Sequence, residues 1–127
     1  MNIAQLLLNS AQVRPRHPVI VFKEQETSYQ ELAQIVKQKA VGFRKYGIQN
    51  NTHVGLMITN KPEYIITYFA LLSLGATVIP INPTFKENEI TYILNDSEAE
   101  ALIVDEVGVA EVQKAKKNFK TVKTVFT

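Results

Sequence analysis

The sequence predicts an α/β fold, a mainly parallel sheet with helices on both faces, preceded by an N-terminal helix and a short hairpin. Three observations carry this expectation. Four short segments, Val54–Ile58, Thr77–Ile81, Ala101–Val104 and Thr121–Phe126, are rich in Val and Ile and largely uncharged, as strands buried on both faces of a parallel sheet are. Stretches with apolar residues at helical spacing separate them, and this alternation makes βαβ units with right-handed crossovers. Three helix starts also repeat one local signal, a polar residue followed three positions later by Glu.

In chain order, the first helix is expected over Ile3–Val13, with Ile3, Leu6, Leu7 and Val13 near one face; Pro15 and Pro18 end it. Val19–Phe22 and Glu26-Thr27 flank a polar turn at Lys23–Gln25, a short hairpin. A helix over Tyr29–Tyr46 places Leu32, Ile35, Val36, Ala40 and Phe43 at helical spacing and stops before Gly47. Strand Val54–Ile58, helix Lys61–Leu74 and strand Thr77–Ile81 follow. Helix Phe85–Asn95, with Ile90, Ile93 and Leu94, leads to strand Ala101–Val104. A last helix near Glu106–Asn118 precedes a closing strand at Thr121–Phe126. No linker or low-complexity tract divides residues 1–127, so they are read as a single unit.

The helix-start signal has a consequence for function. Ser28 precedes Glu31, Asn60 precedes Glu63, and Thr84 precedes Glu87. In a capping box the first side chain accepts a bond from a free helical N–H, and the glutamate reaches back to the backbone of the cap. Plucked from the sequence these glutamates resemble acid–base catalysts; capping accounts for each.

Composition narrows the function classes. A chain of 127 residues is long enough for one core. A net charge of +2 is too small to imply nucleic-acid binding. Most of Lys114, Lys116, Lys117, Lys120 and Lys123 read as the solvated face of a last helix rather than a phosphate site. With no cysteine, disulfides, thiolate metal sites and thiol nucleophiles are excluded. The N-terminus lacks the pattern of a secretion signal. From Tyr64 to Phe85 no residue is charged, but Gly75, Pro80 and Pro83 interrupt what would otherwise resemble a membrane helix. No integral membrane segment is expected, and the expected location is cytoplasmic.

Candidate chemistry is sparse. His17 and His53 are each isolated from carboxylates in sequence, and Asp105-Glu106 is the one acidic pair near a strand end, where Asp105 fits an N-cap. Tyr64, Tyr68 and Phe69 sit on an apolar helix and read as core before they read as an acyl pocket. Phosphate loops need clustered glycines, because only backbone without side chains brings its N–H groups close to an anion. Gly42, Gly47, Gly55, Gly75 and Gly108 are scattered, so neither a P-loop nor a dinucleotide fingerprint is present. One place stays open: ligands of parallel sheets bind at loops leaving the carboxyl ends of strands, here Thr59-Asn60-Lys61 and Asn82-Pro83-Thr84.

Five stretches in order resemble the start of the AMP-forming acyl-CoA synthetases of the adenylate-forming superfamily. Ser28-Tyr29-Gln30-Glu31-Leu32 is similar to an early Thr-Tyr-x-Glu-Leu signature, with Ser in place of Thr. Gly47 and Val54-Gly55-Leu56 fit the turn and strand that follow, and Asn60-Lys61-Pro62-Glu63 resembles an Asn-x-x-Glu helix entry. The stretch Leu71 to Pro83 matches, from Leu72 onward, Leu-x-x-Gly-Ala-x-x-x-Pro-x-Asn-Pro. Glu89 to Ser97 looks like the Glu-Ile-x-Tyr-x-Leu-x-Asp-Ser run of fatty-acyl members.

The resemblance implies the N-terminal subdomain of an enzyme that activates a carboxylic acid, in the nearest branch a fatty acid, with ATP and Mg. The acyl group then passes to coenzyme A. The family's phosphate loop, metal-side Thr-Glu pair, ribose-binding Asp and C-terminal Lys have no counterpart here. No catalytic or metal-binding residue therefore carries over, and the chain alone is expected to be inactive. In some relatives the loop after the second signature lies near coenzyme A, which makes Ile81, Asn82, Pro83 and Thr84 expected contacts in a full enzyme; Pro83 replaces a glycine of some relatives. The expected partner is the remainder of its own domain. Without that partner, apolar surface and an uncovered edge at Val122–Phe126 imply self-association. The alternative is a non-enzymatic α/β module that binds a partner or a small ligand.

Overall fold

The computed structural model describes residues 3–127, with side chains from Leu7 onward. Helix α1 (Ile3–Val13) comes first, and strands β1 (Pro18–Phe22) and β2 (Gln25–Ser28) form the expected antiparallel hairpin. Its turn places Lys23 and Glu24 at φ 51° and 67°, the paired left-handed conformation that matches strand twist in two-residue hairpins. Leu7 is buried while Val13 is 76% exposed, so Val13 does not share the core face. The side chains of Ile3 and Leu6 lie outside the described residues.

The rest of the chain builds the sheet. Helix α2 (Tyr29–Lys45), strand β3 (His53–Met57), helix α3 (Pro62–Ser73), strand β4 (Thr77–Pro80), helix α4 (Glu87–Asp96), strand β5 (Ala101–Val104), helix α5 (Val109–Ala115) and strand β6 (Thr124–Phe126) follow in order. The last helix is shorter than the sequence implies, because residues Lys116–Asn118 tighten into a 3-10 turn. All neighbouring strands of the four-stranded sheet are parallel, in the order β4-β3-β5-β6.

Side chains alternate across this sheet as pleating requires. Val54, Leu56, Ala101 and Ile103 face a core shared with α1, α2 and α3, through Leu7, Leu32, Val36, Phe43 and Leu71. Met57, Leu102 and Val104 face a second core with Ile90 and Leu94 of α4 and Val112 and Ala115 of α5. Burying each such Leu contributes about 1.5–3 kcal/mol. Helices therefore cover both faces, as the sequence predicts. Ile35 is a correction: it stands 39% exposed, because the buried stripe of α2 runs through Leu32, Val36, Ala40 and Phe43.

The capping signals divide. Ser28 and Glu31 form the full box, with Glu31 N–H donating to Ser28 Oγ and Ser28 N–H donating to Glu31 Oε1, both at 3.2 Å. Asn60 does not cap α3. Pro62 takes the first helical position, which makes Lys61 the cap residue, without a side-chain bond; Glu63 instead accepts from Lys39 of α2 at 2.6 Å. Thr84 is no cap either, since its N–H and hydroxyl both donate to Asn82 Oδ1, at 2.9 and 2.8 Å. The glutamate that reaches back at α4 is Glu89, which accepts from Lys86 N–H, while Glu87 N–H donates to Glu111 Oε2.

Candidate functional site

Strand order decides where a site can form. From β3 the chain moves through α3 to β4 on one side; after crossing back through α4, it moves from β5 through α5 to β6 on the other. Helix α3 packs on one face of the sheet and α5 on the other. The loops leaving β3 and β5 thus diverge at a topological switch point, where ligands of open α/β sheets characteristically bind.

Two openings flank the loop that leaves β3. A cleft of about 490 Å³ lies between the carboxyl ends of β3 and β4, lined by Ile58, Asn60, Tyr64, Ile81, Asn82 and Pro83. The structure therefore brings three of the four predicted contact residues, Ile81, Asn82 and Pro83, into one opening with Asn60. Ile81 is buried and anchored by its N–H to Leu56 O at 2.9 Å. Thr84, exposed, joins the wall indirectly by fixing the Asn82 side chain through the two bonds already described. The lining carries two amide side chains and a phenol but no charged group. Such a surface suits a planar, uncharged, hydrogen-bonding group such as a purine; it offers phosphates no cation.

The second opening, about 540 Å³, lies over the switch point itself, with Phe43, Ile58 and Phe126 among its apolar lining and Lys39, Lys61, Glu63, Asp105 and Glu106 at its charged rim. Asp105 is not the N-cap of α5, whose cap residue is Gly108. Its Oδ1 accepts from Val107 N–H at 3.1 Å, in a local turn. Its Oδ2 reaches across to β3's loop, accepting from Thr59 N–H at 2.9 Å and Thr59 Oγ1 at 2.8 Å. Lys61 Nζ stands 3.4 Å from the same oxygen and 3.2 Å from Glu106 Oε1.

These contacts set the charge states. Burial pushes the Asp105 carboxyl up, but hydrogen bonds from Thr59 and Val107 and the Lys61 ammonium outweigh it and leave it below its ordinary value. Lys61 is raised chiefly by its bond to Glu106, against some desolvation, and further by Asp105. Glu106 is lowered by its own backbone N–H and by Lys61. The cluster is a linked network in which two carboxylates share one ammonium, and sequence reasoning missed its central Thr59–Asp105 link, which depends on β3 and β5 being neighbours.

The remaining candidates are structural. His17 stacks on Tyr29 with ring centroids 6.0 Å apart, and His53 Nδ1 lies 2.9 Å from Ser97 O. Tyr68 and Phe69 pack partly buried against the first core, as does Tyr64, which also lines the cleft. The five C-terminal lysines are exposed, and Lys114 pairs with Glu111 at 3.3 Å. Among the described residues no group of three or more His, Cys, Asp or Glu could hold a metal ion, and no helix is long and apolar enough to cross a membrane.

The fold and the sequence are shared with known proteins. The profile of the AMP-binding enzyme family matches residues 7–127. Bacitracin synthase 3 of Bacillus licheniformis is 35% identical over 104 residues, which cover 82% of this chain and 2% of that protein. A long-chain-fatty-acid-CoA ligase of Archaeoglobus fulgidus superposes with a TM-score of 0.93 at 28% identity, covering 99% of this chain and 27% of that one. The N-terminal domain of FACL13 from Mycobacterium tuberculosis, at 23% identity and a TM-score of 0.92, shares the fold, over 99% of this chain and 33% of that one. The chain thus spans a small share of the relatives it matches.

Proposed function

The chain belongs to the AMP-binding enzyme family, and from that premise we propose that residues 1–127 are the N-terminal subdomain of an ATP-dependent ligase. That ligase activates a carboxylic acid as its acyl-adenylate and passes the acyl group to coenzyme A. The observation that carries the reading is the cleft: Asn60, Asn82 and Pro83, from two stretches that resemble the family's motifs, stand together at the carboxyl ends of adjacent parallel strands. Its uncharged, amide-bearing walls suit the purine end of coenzyme A, with Ile81, Asn82 and Pro83 in contact and Thr84 holding Asn82 in place. ATP and Mg would be held by parts of such an enzyme outside these residues, and the chain alone carries out no adenylation.

A fatty acid is the proposed substrate class, supported by likeness to the Archaeoglobus ligase and by the Glu89–Ser97 run. A second reading has its own support. Bacitracin synthase 3 and other peptide synthases of Bacillus are among the relatives at 28–35% identity, so an adenylating unit of that kind is the competing assignment.

The test is a titration of the chain with coenzyme A, following backbone amide signals, together with an ATP–pyrophosphate exchange assay. The proposal expects shifts at Asn60 and at Ile81, Asn82 and Thr84, and no exchange. Reproducible exchange by the purified chain would sink its predicted inactivity. Coenzyme A shifts confined to other residues would remove the cleft from the proposal, and no shifts at all would favour the peptide-synthase reading.

A further inference from the structure

The carboxylate at the switch point lies outside the proposed cleft, yet it holds one of the cleft's walls. Helix α3 has no side-chain cap of its own, because Pro62 moves the cap position to Lys61 and Asn60 makes no capping bond. The loop from Thr59 to Lys61 thus lacks the local anchor that usually fixes a strand-to-helix turn. What it has instead is Asp105, from the next strand but one in sequence, whose Oδ2 takes both the N–H and the hydroxyl of Thr59. The Asp105 side chain is only 6% exposed, and its other oxygen is tied to Val107 N–H. A buried carboxylate held on two sides has little freedom, so Thr59 is fixed relative to β5 rather than to its own helix. The next residue along is Asn60, which lines the cleft with Tyr64 and Asn82.

We propose that Asp105 is a positioning residue for that cleft: by gripping Thr59 across the switch point it sets where Asn60 and Tyr64 stand opposite Asn82, and so sets the cleft's affinity for its ligand. The affinity part of this inference rests on the coenzyme A reading of the cleft. Val107 and Lys61 share the carboxylate; Lys61 flanks Asn60 on its far side, and Thr59, on the near side, supplies two of the carboxylate's hydrogen bonds.

The experiment compares D105A, D105N, T59V and T59S with a destabilised control, V112A, whose buried side chain lies in the second core and does not line the cleft. Two readouts are taken on the whole chain: the amide positions of Asn60 and Tyr64 without ligand, and the dissociation constant for coenzyme A. Residues that tune a site without touching its ligand change affinity by about threefold to thirtyfold. That weakening is expected in D105A and T59V, with shifted Asn60 and Tyr64 amides, whereas T59S stays near the parent chain. V112A is expected to lose stability but keep the parent affinity, which a merely structural role for Asp105 would not distinguish.

Should D105A fail to fold, T59V carries the test, since it removes the hydroxyl bond and leaves the carboxylate paired with Val107 and Lys61. Unchanged amides and affinity in both D105A and T59V overturn the proposal, as does equal weakening in V112A. If the parent chain binds no coenzyme A, the coenzyme A reading fails, and the affinity part with it. The Asn60 and Tyr64 amides then still decide whether Asp105 sets the loop.

Discussion

Thr59 and Asp105 are 46 residues apart in sequence, and one carboxylate oxygen joins them: Asp105 Oδ2 lies 2.9 Å from Thr59 N and 2.8 Å from its Oγ1. The bond crosses the point where the sheet's connections part, so it ties the β3 loop, which borders both the cleft and the second opening, to the β5 loop, which borders the second opening. Its acceptor stays ionised in spite of burial, because the donors facing it favour the charged form.

That charge state makes part of the stability depend on acid. The folded Asp105 carboxyl lies below its ordinary value of 3.8. A depressed carboxylate contributes stability that is complete above the unfolded value and is lost as pH falls through the folded one. Urea unfolding of the parent chain and of D105N should differ by about 1–3 kcal/mol near neutral pH. The difference should hold steady down to the ordinary aspartate range and shrink below it. A difference that widens in acid would contradict the assignment.

Three helices end in the same way, and one of them does so with the wrong residue. At the end of α2, Gly47 N–H bonds Arg44 O and Ile48 N–H bonds Phe43 O; at the end of α3, Gly75 bonds Leu72 O and Ala76 bonds Leu71 O. At the end of α4, Glu98 and Ala99 make the equivalent bonds to Asn95 and Leu94. Gly47 and Gly75 adopt positive φ freely, whereas Glu98 is held at φ 55°, at a cost that glycine avoids. E98G should therefore raise stability by about 0.5–1 kcal/mol in chemical denaturation. A loss of stability would show that the exposed Glu98 side chain contributes more than its backbone costs.

The same residues show what was legible in the sequence. Gly47 and Gly75 marked their helix ends, and Ser28 with Glu31 marked a start, because each is a local device whose partners lie within a few positions. Asn60 and Thr84 carried the same spacing and misled. Pro62 shifted one cap by a residue, and Asn82, two residues away, captured the other hydroxyl. The cleft was legible as two strand-end loops, since that rule needs only strand identity. The Asp105 link was not, because it depends on β5 lying beside β3 rather than beside β4, an order that composition and periodicity do not encode.

Gly75 and Gly42 should respond to alanine in opposite directions. Gly75 sits at φ 76°, and a methyl group there would meet the Asn50 side chain. G75A should cost about 2 kcal/mol, combining left-handed strain with the displaced neighbour. Gly42 lies inside α2 with nothing within 4 Å of the added methyl. G42A should gain about 0.5–1 kcal/mol from reduced chain entropy. Equal effects of the two substitutions, measured by urea denaturation, would refute this use of their backbone geometry.

The sheet's far edge leads to the last prediction. β6 pairs with β5 on one side and, among the described residues, has no strand on the other, and exposed edges template pairing with further chains. The neighbouring surface is apolar: Phe126 is half-buried, meets Phe43 and Tyr46 edge-on at 5.2 and 5.6 Å, and Tyr46 is itself 68% exposed. No proline falls within Thr124–Phe126, and its one flanking charge is Lys123, so little at this edge discourages a second strand. The chain should therefore sediment as larger species as its concentration rises, and Y46K, which places a charge beside the edge while leaving the β5–β6 ladder intact, should reduce that association. A chain that stays monomeric at every concentration would mean that the edge is protected by something other than its own residues, and that an unpaired β6 does not drive association.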